Sequence, residues 1–241
     1  MGYLAPLLTP FLVAFGSALI LTPLCRRVAL RLGVMDRPGS KKIHAQPTPL
    51  LGGPAIALAQ VGGVLASGPV DPVLVSVLVA AGLILLLGIH DDLSPAPGGV
   101  RWWLRLLFQG FLAVFVIHPG ITLGFLRTPW LSIPVILLWI VGITNAFNLL
   151  DNMNGLSAGV AAIAGLTFAS LAARYIDLGP EQLPTVRAAA ALAGACLGFL
   201  PSNFRSRIFM GDAGSLFVGF TLACVAALGS WRSPTVPTSV I

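Results

Sequence analysis

Four short stretches of this chain carry side chains able to do chemistry. Asp91 and Asp92 follow the apolar run LILLLGIH at 83–90. Adjacent carboxylates repel each other unless a cation sits between or beside them. Mg²⁺ suits such a place, because it takes oxygen ligands and often bridges substrate phosphates. A hydrated pair at a helix end is the plain alternative. The second stretch, NAFNLLDNMNGLSAG at 145–159, repeats Asn145, Asn148 and Asp151 every third residue, which puts them on one broad helix face. Amides and a carboxylate at the mouth of an apolar segment are costly against lipid, so they face a bundle or a cavity. Four Asn and one Asp within ten residues exceed what hydrogen bonding between helices requires. Gly155 and Gly159, four residues apart, read as a helix-packing pair.

The third stretch is PSNFRSRIFMGDAGSLFVG at 201–219. Met210 to Ser215 opens a helix, where free backbone N–H groups, glycines and the Asp212 carboxylate suit a phosphate–metal site. An aspartate capping its own helix is the alternative. Arg205 and Arg207 either mark topology or contact phosphate. The fourth stretch, DRPGSKKIHAQPTPLLGG at 36–53, holds Lys41, Lys42 and His44 among turn formers. These bases either neutralise a diphosphate or anchor to anionic lipid.

The elements that position these groups follow from composition. Of 241 residues, 56% are hydrophobic and 9% charged, against about 25% charged in soluble chains. Such a chain cannot cover a globular surface with polar groups, so lipid is its main solvent. Disorder, a nucleic-acid partner and a small disulfide scaffold are excluded with that. Cys25, Cys196 and Cys224 sit in apolar runs without ligand spacing and read as packing residues.

Eight apolar segments stand out, roughly at 4–24, 51–67, 72–89, 103–117, 130–149, 156–173, 188–201 and 214–230. The expected fold is all-α: one polytopic helical bundle over 1–241 with about eight transmembrane helices. The second segment is at the lower edge of spanning length; the fourth and seventh reach it only with their flanks. Ten of the fourteen Lys and Arg fall on odd-to-even connections and four on the other side, which predicts a cytoplasmic first set and an outside N-terminus. All five asparagines, His44, His90 and five of the eight acids then lie on the cytoplasmic face.

In this order, DRPGSKKIHAQPTPLLGG, GIHDDL, NAFNLLDNMNGL and MGDAGS resemble the polyprenyl-phosphate N-acetylhexosamine-1-phosphate transferases, relatives of the phospho-N-acetylmuramoyl-pentapeptide transferases. The resemblance runs from about residue 5 to 230. The K-x-H-x-x-P-x-P form around His44 is nearer the hexosamine branch. The resemblance implies a multi-pass plasma-membrane enzyme acting at the cytoplasmic face. It would move a sugar 1-phosphate, N-acetylglucosamine 1-phosphate first among candidates, from a UDP-N-acetylhexosamine to polyprenyl (undecaprenyl) phosphate. UMP would leave, and the product would start a cell-envelope glycan. By the same resemblance Asp91, Asp92 and Asp151 are catalytic, and Asp212, Asp92 and Asn148 hold Mg²⁺, or Mn²⁺ in its place. Lys41, Lys42, His44, Asn145, Asn148, Asn154, Asn203, Arg205 and Ser215 contact substrate. Whether the chain forms a homodimer is left open.

Two departures accompany the resemblance. Asn154 stands where the family has an aspartate, which removes one negative charge beside the site. A histidine-rich loop and further spans follow the eighth segment in the family, and none of this chain's three histidines answers to that loop. A fragment, incomplete at its C-terminus, is therefore expected. The rival readings are the pentapeptide branch, a transporter or flippase, and an inactive truncated homologue. A transporter predicts ionisable groups at mid-span and symmetry between halves, whereas here the acids gather at one face.

Overall fold

The computed structural model describes residues 4–36, 47–94, 99–118, 121, 128–176 and 182–229. Among them are eight helices: α1 (Leu4–Leu32), α2 (Gly52–Ala66), α3 (Pro72–Leu93), α4 (Trp102–Ile117), α5 (Pro129–Leu150), α6 (Leu156–Ala173), α7 (Leu183–Asn203) and α8 (Gly211–Gly229). Local chemistry sets several of their starts. Pro72 opens α3 where its missing N–H costs nothing, and the Asp71 carboxylate accepts from the Leu74 N–H at 3.0 Å. Pro129 opens α5 in the same way.

Six helices, α1, α3, α5, α6, α7 and α8, are long and apolar enough to cross a membrane, while α2 and α4 are shorter apolar helices. The chain is thus an all-helical, multi-pass membrane protein. The seventh segment is longer than its sequence suggested. The stretch read at 188–201 extends through its flanks into a helix of 21 residues, from Leu183 to Asn203. Arg187 stays at the helix start by donating to the Pro69 carbonyl at 2.7 Å. Pro201 falls in the last turn, where the helix is already ending. At α2 and α4, 15 and 16 residues span only about 22–24 Å of a hydrocarbon core of about 30 Å.

Helix α8 is the axis of the bundle: every residue from Ala213 to Leu228 is buried. It packs against α3, α5 and α2, while α7 lies between α1 and α6. Runs of buried alanine on α7, such as Ala188–Ala191, let the backbones approach closely. Large apolar side chains that remain outside, among them Phe111, Leu138 and Ile163, form the lipid-facing surface. One feature departs from an all-helical pattern. Met35–Asp36 (β1) and Thr48–Pro49 (β2) pair antiparallel, Met35 opposite Pro49 and Asp36 opposite Thr48. Beyond β2, Gly52 and Gly53 donate to the carbonyls of Phe209 and Met210 at 3.0 Å each. This docks the start of α2 on the loop before α8.

Candidate functional site

The ends of α3 and α5 and the beginnings of α4 and α8 meet at one end of the bundle. Asp92 closes the first contact. Its Oδ1 accepts from the Asp212 N–H at 2.8 Å and its Oδ2 from the Ala213 N–H at 3.1 Å. The free amides at the start of α8 are thus capped by a carboxylate from another helix, where the helix dipole also favours negative charge. Asp212 does not cap its own helix, the alternative weighed from sequence.

Asp212 is free to face its neighbours. Asn148 Nδ2 donates to Asp212 Oδ1 at 2.9 Å and to Ser215 Oγ at 2.9 Å. Ser215 is fully buried, and its hydroxyl lies 3.0 Å from the Gly211 carbonyl it donates to. Asp91 points the other way: Oδ1 accepts from the Val100 N–H at 2.7 Å, and Oδ2 meets Arg105 Nη2 at 2.5 Å. The same Arg105 nitrogen lies 3.2 Å from Asp212 Oδ2. One guanidinium therefore joins the first acid of the pair to the acid of α8.

Asp151 ends α5 as its C-cap and makes no hydrogen bond to a described residue. Burial, with the negative charges of Asp212 and Asp92 behind it, pushes its carboxyl up to about 8. The turn after it is held by backbone contacts. Gly155, with φ +78°, donates its N–H to Asn203 Oδ1 at 2.6 Å. Asn203 Nδ2 donates to the Ile208 carbonyl at 3.0 Å. At the surface, Asn154 Nδ2 donates to Ser206 Oγ at 2.6 Å. Asn203 is 4% exposed and both its amide atoms are engaged, so here it braces two loops rather than offering itself to a ligand. Gly155 is not half of a packing pair either: it is the left-handed cap of α6 with the Phe204 ring against it, and a side chain on Gly159 would meet open space.

Asn145 donates to Gln109 Oε1 at 2.5 Å and to the Val141 carbonyl at 2.8 Å. It lines a cavity of about 640 Å³ with Gly99, Val100, Arg101, Trp102, Arg105 and Leu106. Its lining combines the Arg101 and Arg105 side chains with the apolar side chains of Trp102 and Leu106, which are exposed on the flank of α4. Gln109 is fully buried, and its Nε2, like Nε of Arg105, has no partner among the described residues. Arg205 is exposed on its loop. Lys41, Lys42 and His44 lie outside the described residues.

Arg105 and Gln109 are the functional candidates that sequence reasoning passed over. Arg105 was counted only toward membrane orientation. The signal was its place on α4 with Arg101 and Gln109, four residues apart on one helix face, beside the acids of α3.

The donor set suits a hard cation. Asn148 spends its NH₂ on Asp212 and Ser215, which leaves Oδ1 without a hydrogen bond to a described residue. Four acids share this region with one bonded guanidinium, and Asp151 holds its proton there for want of a compensating charge, which a cation would supply. Among the described residues no three His, Cys, Asp or Glu side chains form a metal cage. A cation would take its other ligands from water or a phosphate, as Mg²⁺ commonly does. Asp92 fits that role poorly: its oxygens are held by backbone amides, whereas those of Asp212 are held by the Arg105 and Asn148 side chains, which can turn aside.

Comparison with known proteins meets this geometry. The chain is 35% identical to a probable undecaprenyl-phosphate N-acetylglucosaminyl 1-phosphate transferase of Bacillus subtilis, over 96% of this chain and 65% of that protein. It is 32% identical to a decaprenyl-phosphate N-acetylglucosaminephosphotransferase of Mycolicibacterium smegmatis, over 92% and 60%. A phospho-N-acetylmuramoyl-pentapeptide-transferase of Heliobacterium modesticaldum is 34% identical, over 90% and 73%. The chain thus spans about two thirds of the length of the first two relatives or less. Residues 74–230 match the sequence profile of glycosyl transferase family 4. That stretch contains Asp91, Arg105, Asn148, Asp151 and Asp212, and with it the whole constellation just described; the chain belongs to glycosyl transferase family 4.

Proposed function

We propose that this protein transfers N-acetylglucosamine 1-phosphate from its UDP-sugar to undecaprenyl phosphate at the cytoplasmic face of the plasma membrane. An oxygen of the lipid phosphate attacks the sugar-bearing phosphorus of the UDP-sugar. The anhydride bond between the two phosphorus atoms breaks, UMP leaves, and a lipid diphosphate-linked sugar remains. The observation that carries this reading is the meeting of Asp91, Asp151, Asp212, Asn148 and Arg105 at one end of the bundle, beside a cavity lined by both Arg105 and Trp102.

Two polyanions must approach each other here, so positive charge and positioning supply most of the catalysis. Arg101 and Arg105 receive the lipid phosphate, with Trp102 and Leu106 along its first prenyl units. Asp212 and the Oδ1 of Asn148, faced by Asp151, would hold Mg²⁺. When bound, that ion would neutralise charge developing on the transferred phosphoryl group. Asp91 keeps Arg105 aimed, and Arg105 keeps Asp212 from turning away from the site. Asn145, fixed by Gln109, offers a polar contact at the cavity wall.

The test is UMP release by the intact protein in nanodiscs with undecaprenyl phosphate. UDP-N-acetylglucosamine with Mg²⁺ is expected to support it, and Asp212→Asn to abolish it. UMP release from UDP-N-acetylmuramoyl-pentapeptide instead would place the protein with its Heliobacterium relative. Activity untouched by Asp212→Asn would sink the site.

A further inference from the structure

We infer that Asp92, the second acid of the pair, is a positioning residue that fixes the start of α8, and through it Asp212, rather than a ligand of the metal. Three features of the fold carry this. Its two oxygens are spent on the backbone N–H groups of Asp212 and Ala213, at 2.8 and 3.1 Å. The space for its carboxylate is made by a missing side chain, because a Cβ on Gly211, whose φ is +73°, would come 2.5 Å from Asp92 Oδ2. The approach of α3 to α8 is made the same way: a Cβ on Gly88, one turn before Asp92, would run into the backbone of Ala213.

The paired acids thus divide their work. Asp91 holds the guanidinium of α4, and Asp92 holds the amides of α8. Asp212 sits between the two, fixed from behind at its N–H and from the front by Arg105 and Asn148. Asp212 also spends both its oxygens, but on the Asn148 and Arg105 side chains, which can turn aside for a cation as the backbone amides on Asp92 cannot; metal binding therefore falls to Asp212, Asn148 and Asp151. A carboxylate wedged this closely has no room to be longer, whereas an amide of the same length keeps one acceptor for one of the two N–H groups.

This assignment rests on the proposed transfer reaction only for its activity arm, so two readouts are needed. The first is hydrogen exchange of the segment 209–216 in the intact protein in nanodiscs. Asp92→Asn and, without touching the acid, Gly211→Ala are both expected to speed exchange of the Asp212 and Ala213 amides about tenfold or more. The second is the rank order of UMP release with its Mg²⁺ requirement. Asp92→Asn should keep more turnover than Asp92→Glu, with half-saturating Mg²⁺ within about twofold of the parent. Asp212→Asn should shift that requirement strongly. Unchanged exchange in Asp92→Asn and Gly211→Ala overturns the assignment. So does a higher activity for Asp92→Glu than for Asp92→Asn together with a raised Mg²⁺ requirement, the pattern of a lost ligand. If no variant or parent releases UMP, the proposed reaction fails while the exchange result still decides the role of Asp92.

Discussion

Arg105 lies 2.5 Å from Asp91 through its Nη2, and the Asp91 side chain is 3% exposed. A carboxylate so enclosed depends on that partner. Removing one member of a buried pair typically costs about 3–5 kcal/mol, because the other charge is left uncompensated. Arg105→Ala should therefore lower the thermal midpoint by about 6–20 °C and abolish UMP release. Arg105→Lys keeps a charge but not a fork that reaches two acids. It should fold, with the midpoint within a few degrees of the parent, and lose roughly tenfold or more in turnover. Equal activity for the lysine variant would show that the bridge to Asp212 has no part in catalysis.

Asp151 predicts a pH dependence. Its carboxyl, ordinarily at 3.8, is pushed up to about 8 by burial and by Asp212 and Asp92. Between these values the folded protein holds a proton that the unfolded chain releases. Stability without divalent cation is therefore full below about pH 4 and falls as pH rises toward 8. Asp151→Asn removes that penalty, which is of the order of a few kcal/mol. Thermal midpoints in EDTA should fall for the parent from pH 5 to pH 8 and stay flatter for the variant. Mg²⁺ should restore the parent at pH 8 and do little for Asp151→Asn. Parallel curves for the two proteins would remove Asp151 from the charged cluster.

The acids of this site were legible because carboxylates are scarce in the chain and lipid leaves them few places to go. Asp91, Asp92, Asp151 and Asp212 fell on one face as soon as the apolar segments were numbered, and the structure brings them together. Their individual tasks were not legible. The partners of Asp92 are backbone amides 120 positions away, and every residue has an amide. Arg105 carries a charge that orients a membrane protein whether or not it also meets Asp91. Asn203 sits among chemistry-bearing residues, so its type suggested a ligand contact. Only the fold reveals that Gly155 and Ile208 use both its amide atoms. The true start of helix α7 was not legible because Arg187 lies inside it, and the carbonyl that accepts from Arg187, that of Pro69, lies in a distant loop.

Gly155 tests the brace that holds Asp151. Its φ of +78° is left-handed, and the Phe204 ring occupies the place of a side chain. Gly155→Ala meets both obstacles and should cost about 1–3 kcal/mol. Asn203→Ala, which leaves the Gly155 N–H buried and unpaired, should cost a similar amount. In a double-mutant cycle the two should be less than additive, since losing the Asn203 bond frees the turn to relax the strain that a Cβ on residue 155 creates. Thermal unfolding of the four proteins measures this, and full additivity would mean that the two residues act separately.

Asn148 offers the sharpest test of where a cation would sit. Its NH₂ holds Asp212 Oδ1 at 2.9 Å, so Asn148→Asp replaces a donor by a second carboxylate at that distance. Two such groups cannot both ionise without a compensating charge. In EDTA the variant should be less stable than the parent, and increasingly so as pH rises above the carboxylate range. A divalent cation placed between the two acids would reverse this. Mg²⁺ should therefore raise the thermal midpoint of Asn148→Asp by more than it raises the parent's, even as turnover falls because the site's charge has changed. An equal or smaller Mg²⁺ shift in the variant would place the ion elsewhere, since a second carboxylate at its own site can only strengthen its hold.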